Sequence, residues 1–200
     1  EDALVQLYDF SMYTRNTPDS SLIQVKSEMF DGQIAGRYSL STLPASLKNL
    51  MNRYMNIDPQ KDPYADSLSH FSFQFDFKRV NPLLNYFYPD LQIGQESHLR
   101  GSFDPGLESS TSTGFFTDLQ FRRSAWSNVE LFAEFRERDL QVHFLSDSLT
   151  FGKNMSLEEH QFHLMAANDS AKLDMSWDNR EEPRYKGNIR LTTTFYSDTT

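Results

Sequence analysis

The chain is 200 residues long, carries a formal net charge of −9 and contains no Cys. That charge argues against a nucleic-acid partner and against adhesion to anionic lipid head groups, both of which need clustered Lys and Arg. Without Cys there are no disulfides, thiolate metal sites or cysteine nucleophiles, and no run approaches the ~18 consecutive apolar residues of a membrane helix.

The 17 Phe, 9 Tyr and 2 Trp supply ample apolar surface, so the negative mean hydropathy reflects alternation, not disorder. The chain opens on Glu1-Asp2-Ala3, with neither an initiating Met nor a signal peptide. It therefore reads as an excised or processed piece of a longer protein, one all-β segment over 1–200.

Over 4–40 the pattern predicts about three strands. Thr14-Arg15-Asn16-Thr17-Pro18-Asp19 supplies the first turn, with Asn, Pro and Asp as natural turn formers. Met29-Phe30-Asp31-Gly32-Gln33 reads as a tight hairpin, because Asp-Gly tolerates the positive φ angles of a type I′ turn. Ile34, Gly36, Tyr38 and Leu40 then alternate. At Thr42 the spacing changes, and Leu43, Leu47, Leu50, Met51 and Tyr54 recur at three and four. This predicts a helix over 43–55, capped by Ser41 or Thr42, with Pro44 in its first turn. A polar loop follows over 56–68.

Phe71, Phe73, Phe75 and Phe77 alternate with Ser72, Gln74, Asp76 and Lys78. Successive strand side chains point to opposite faces, so this run has one apolar and one wet face. Asn81-Pro82-Leu83-Leu84-Asn85-Tyr86-Phe87 predicts a second short helix over 82–88, stopped before Pro89. From Leu91 onward strands return. Val129, Leu131, Ala133 and Phe135 form one alternating set, Leu140, Val142 and Phe144 another, and Ala171, Leu173, Met175 and Trp177 a third. Turns are expected at Asp104-Pro105-Gly106, Glu137-Arg138-Asp139, Asn168-Asp169 and over 178–184. The fold class is mainly β. Its apolar faces must be covered by another sheet, closed into a barrel, or left to line a groove for something apolar.

Catalytic fingerprints are absent: no G-x-G-x-x-G, Walker A, G-x-S-x-G or H-E-x-x-H motif occurs. His160 and His163, at i and i+3, fall on opposite faces of a strand and so cannot share a metal there. Glu130 with Glu134, and the adjacent Glu158-Glu159 and Glu181-Glu182, are the carboxylate pairs that a glycosidase reading would need. An acidic chain rich in exposed strand faces produces such pairs without catalysis. Asp58, Asp62 and Asp66 lack the spacing and glycine of an EF-hand loop. No metal or cofactor is expected.

Two segments carry a resemblance. Residues 32–50 run from a strand through Gly36 into the leucine-rich Leu43-Pro44-Ala45-Ser46-Leu47-Lys48-Asn49-Leu50. This resembles TamB-like and AsmA-like envelope proteins, in which a strand ends in a glycine-containing turn before such a helix. Residues 71–91, a phenylalanine strand followed by Asn81-Pro82-Leu83-Leu84, are similar to the form these proteins take in Bacteroidota. The amphipathic runs Leu173-Asp174-Met175-Ser176-Trp177 and Gly187-Asn188-Ile189-Arg190-Leu191 fit the family's general pattern. The resemblance implies a long curved antiparallel sheet, a β-taco-like groove with one or two short helices and an apolar inner face. It also implies a periplasmic location in a Gram-negative envelope, with the full-length protein anchored in the inner membrane. Its partners would be phospholipid acyl chains or unfolded strands of outer-membrane proteins, together with an outer-membrane assembly partner.

The expected function is therefore a non-enzymatic conduit for phospholipid transport or outer-membrane protein assembly. Its apolar face would comprise Phe71, Phe73, Phe75, Phe77, Val129, Leu131, Phe135, Leu140, Val142, Phe144, Leu173, Met175 and Trp177. The rival readings are a structural or adhesive β-sandwich and a carbohydrate-active β-sandwich enzyme.

Overall fold

Each alternating run becomes a strand. The computed structural model describes residues 9–38, 70–104, 109–136, 139–152, 155–167, 170–180 and 184–194. The strands are β1 (Ser11–Asn16), β2 (Ser21–Lys26), β3 (Phe30–Arg37), β4 (His70–Phe77), β5 (Leu91–Ile93), β6 (Ser97–Asp104) and β7 (Ser109–Phe121). They continue through β8 (Ser124–Arg136), β9 (Asp139–Phe151), β10 (Met155–Ala167), β11 (Ser170–Asn179) and β12 (Tyr185–Thr194). All belong to one open antiparallel sheet ordered β1-β2-β3-β4-β6-β7-β8-β9-β10-β11-β12, with β5 paired to β7 beyond the end of β6. Among the described residues there is neither a second sheet nor closure of β1 onto β12. The sandwich and the barrel that periodicity left open are not the architecture.

One helix is described, α1 (Asn81–Phe87), with Pro82 in its first turn, where the missing N–H costs nothing. It bridges β4 and β5, and Val80 and Leu84 turn inward against Ile93 and Phe116. The helix expected over 43–55 and the loop over 56–68 lie outside the described residues.

The Asp31-Gly32 hairpin expected from sequence is not where the chain reverses. Lys26 pairs with Asp31, so the turn occupies the four residues before Asp31, while Asp31 and Gly32 lie inside β3. Ser27 supplies the turn chemistry: its Oγ donates to the Phe30 carbonyl and accepts from the Met29 and Phe30 amides. Gly32 serves packing instead, because a Cβ there would lie 3.0 Å from the Phe75 ring.

Strict alternation also fails once, at the same row in four neighbouring strands. Residues packed on one face step by three instead of two: Phe116 to Leu119 in β7, Val129 to Trp126 in β8, Ser146 to Leu149 in β9 and His160 to Leu157 in β10. Every strand takes the extra residue at the same level, so pairing register is the same on both sides of the row. Asn128 (φ 47°) and Glu159 (φ 45°) adopt left-handed backbone there, and Glu96 (φ 64°) does so beside them. On the outer side the Asn128 Nδ2 donates to Asp147 at 2.8 Å, and Glu159 pairs with Arg180 at 2.7 Å.

The row is a crease. Trp126 lies five residues from Leu131, the partner of Phe144, which is about 16 Å along a straight strand. Yet the Trp126 and Phe144 rings meet edge to face at 5.9 Å. The sheet therefore folds toward its apolar side at this line, giving a trough with a long and a short wall.

Candidate apolar trough

Cross-strand register sets the thirteen candidate residues in four rows on one face. Nearest the rim of the long wall, Phe71, Phe103, Ser110, Phe135, Leu140, Ala166 and Ala171 succeed one another from β4 to β11. Two residues deeper run Phe73, Gly101, Ser112, Ala133, Val142, Leu164 and Leu173, and then Phe75, Leu99, Gly114, Leu131, Phe144, Phe162 and Met175. The floor beside the crease holds Phe77, Ser97, Phe116, Val129, Ser146, His160 and Trp177. Every residue chosen from sequence alternation is thus brought to one surface.

Along β4 the four phenyl rings follow one another at 6.3, 6.1 and 6.4 Å between centroids. The stripe continues sideways from Phe71 to Phe103 at 5.3 Å and from Phe77 to Phe116 at 6.3 Å. Rings lie over glycines of neighbouring strands: Phe75 over Gly32, Phe73 over Gly101 and Trp177 over Gly187. Laying a large ring flat across a glycine lines the trough with apolar surface without filling it, and shields the exposed backbone beneath.

Burial is deepest in two bands. At the floor Val129 is 0% exposed and Leu149 2%, and in the outermost row of the long wall Phe103 is 4% and Ala166 2% exposed, whereas Phe121 and Met155, on the rim of the short wall, are 47% and 53% exposed. The floor is not wholly apolar. Ser97 Oγ donates to the Gly94 carbonyl, and Ser146 Oγ lies 3.4 Å from His160 Nδ1. Burial holds the His160 imidazole below its ordinary pKa, and its ring meets Phe144 edge to face.

The outer face is mixed instead of uniformly wet. His163 stacks on His143 across the β9–β10 pair, with centroids 3.9 Å apart, and its Nε2 is buried without a hydrogen-bond partner. Burial pushes its pKa down, His143 adds to this, and Asp174 opposes it. His160 and His163 point to opposite faces, as strand alternation requires. Glu130 and Glu134 also lie outside the trough, with Glu134 in an ion pair with Arg136 at 2.8 Å. No group of three metal-ligating side chains occurs among the described residues. Asp58, Asp62, Asp66, Glu181 and Glu182 lie outside them.

Sequence reasoning missed Phe103, Phe116, Phe162, Trp126 and Leu149 as trough residues. Phe162, Leu164 and Ala166 alternate visibly. Phe116 was hidden by its neighbour Phe115, which faces outward. Trp126 and Leu149 lie beyond the three-residue step, where strict period-two reading assigns the wrong face. The polar floor residues carry no sequence signal. Searches of protein-family models, curated proteins and solved structures gave no match for this chain.

Proposed function

We propose that the chain is a non-enzymatic segment of a TamB-like envelope protein, and that its trough is part of a conduit for phospholipid acyl chains. The observation that carries this reading is the alignment of apolar side chains from β4 to β11 on one face of a sheet that, among the described residues, has no second sheet against it. An apolar trough takes a linear apolar ligand without base, acid or nucleophile. Each methylene removed from water there contributes about 0.8 kcal/mol. Transport of phospholipid to the outer membrane, or guidance of unfolded outer-membrane strands along the same surface, would take place in the periplasm.

Native mass spectrometry of the purified chain tests the proposal by counting copurified phospholipid per folded molecule. Phe73→Asp is expected to lower occupancy beyond any loss of folding, because a carboxylate among acyl chains is expensive to desolvate. Phe73→Leu should keep most of it. Equal occupancy in a soluble, folded Phe73→Asp protein would defeat the conduit on this wall.

A further inference from the structure

The connection between β4 and β5 ends in three consecutive aromatic side chains, Tyr86, Phe87 and Tyr88, which are 63%, 62% and 67% exposed. Tyr86 and Phe87 meet edge to face at 5.0 Å. A turn from Tyr88 to Leu91 brings them beside Phe121, since the Leu91 amide donates to the Tyr88 carbonyl and Leu91 pairs with Phe121. The chain is strongly acidic overall, but this rim is not. Arg122 and Arg123 stand here at the β7–β8 turn beside Asp90, whose carbonyl accepts from the Arg122 amide. The Arg122 guanidinium lies 3.8 Å from the Asp90 carboxylate. Arg123 has no ion-pair partner among the described residues and is exposed.

We infer that this rim docks on a phospholipid bilayer. Tyrosine and phenylalanine side chains settle at the boundary between head groups and acyl chains, where one end is wet and the other apolar. The unpaired guanidinium of Arg123, with Arg122 next to it, meets lipid phosphates, which supplies the charge complementarity that the chain's net charge hides. The short wall of the trough ends at this rim, so a docked rim would set the apolar floor against the lipid from which acyl chains enter. This inference rests on the conduit reading only for its purpose; the docking itself is independent of it.

Flotation of the 200-residue chain with phosphatidylcholine vesicles, with and without phosphatidylglycerol, is the test. Wild-type protein should float with both, more strongly when phosphatidylglycerol is present. The triple variant Tyr86→Ser, Phe87→Ser, Tyr88→Ser alters only exposed side chains, so its melting curve should match wild type. Its partitioning should fall by about tenfold or more on both vesicles. Arg123→Glu should abolish the gain from phosphatidylglycerol and leave binding to pure phosphatidylcholine near wild type. Wild-type protein that stays with neither vesicle, or a triple variant that floats as wild type does, overturns the inference. Native mass spectrometry of the same samples separates the two ideas. Flotation without copurified lipid supports the rim while defeating the conduit, and copurified lipid without flotation does the reverse.

Discussion

Gly101 shows how much of this surface depends on single atoms. A Cβ at that position would lie 2.4 Å from the Thr111 carbonyl oxygen and 2.6 Å from the Phe73 ring. Backbone across a paired strand cannot retreat as a flexible side chain can. Gly101→Ala should therefore lower unfolding free energy by about 1–3 kcal/mol, the usual cost of overpacking, read from urea denaturation. Gly187→Ala should cost less, because its clash is with the Trp177 side chain next to the edge strand β12. The buried His160 and the half-buried His163 make a second argument from individual groups. His160 and His163 are both held below the ordinary value of 6.5, chiefly by burial, and His163 further by His143. The opposing charge at His163 is Asp174, which is itself engaged by Arg190. A base with a lowered folded-state pKa is protonated first in the unfolded chain. Its penalty is absent above about 6.5 and grows as the pH falls from there toward the folded-state value. Urea midpoints should therefore drop between about pH 7.5 and 5.5, above the range where carboxylates titrate. His160→Asn combined with His163→Gln should flatten that drop, and an unchanged slope would acquit the imidazoles.

The crease is the feature on which strand geometry and backbone strain meet. Left-handed backbone at Asn128 and Glu159 is tolerable for Asn and less so for Glu. Glu159→Gly should be neutral or stabilising despite loss of the exposed ion pair with Arg180, since such pairs contribute little. Asn128→Val should destabilise by about 1–2 kcal/mol, because a β-branched side chain is disfavoured at positive φ. Urea denaturation checks both, and a stable Asn128→Val protein would argue against strain at the row. This element also marks the limit of what the sequence discloses. Alternation in 71–77 and 129–135 is legible because burial on one face imposes it, and Asn81-Pro82 is legible because proline fits a first helical turn. The crease is not legible, since one extra residue per strand looks like noise unless four strands are aligned. Nor is the β7–β8 turn, where Arg122 sits at φ 56° without the usual Gly or Asn. Its guanidinium lies over the Phe121 ring at 5.3 Å, a tertiary contact that no local pattern announces. Asp31-Gly32 misled for the opposite reason: a glycine selected for ring packing mimics one selected for a turn.

An open sheet has edges, and here they are β1 and β12 among the described strands. Every residue of β1 is exposed, and β12 runs ten residues with Ile189 and Leu191 at 41% and 57% exposure. Unpaired backbone beside apolar side chains is a template for further strand addition. The purified chain should associate as its concentration rises, measured by light scattering across a dilution series, and Ile189→Lys with Leu191→Lys should suppress this. Unchanged association in that variant would shift attention to β1 or the aromatic rim. The three-residue step has one further consequence, for dimensions. Because β7 to β10 all take it at the same level, it sets the width of the cross-section where those four strands run, while the number of strands sets the length. Ten steps between the eleven strands of the main path, at about 4.8 Å each, span about 48 Å. A further hairpin carrying the same step would add about 10 Å at the same calibre, so the design works as a gauge whose reading is its strand count.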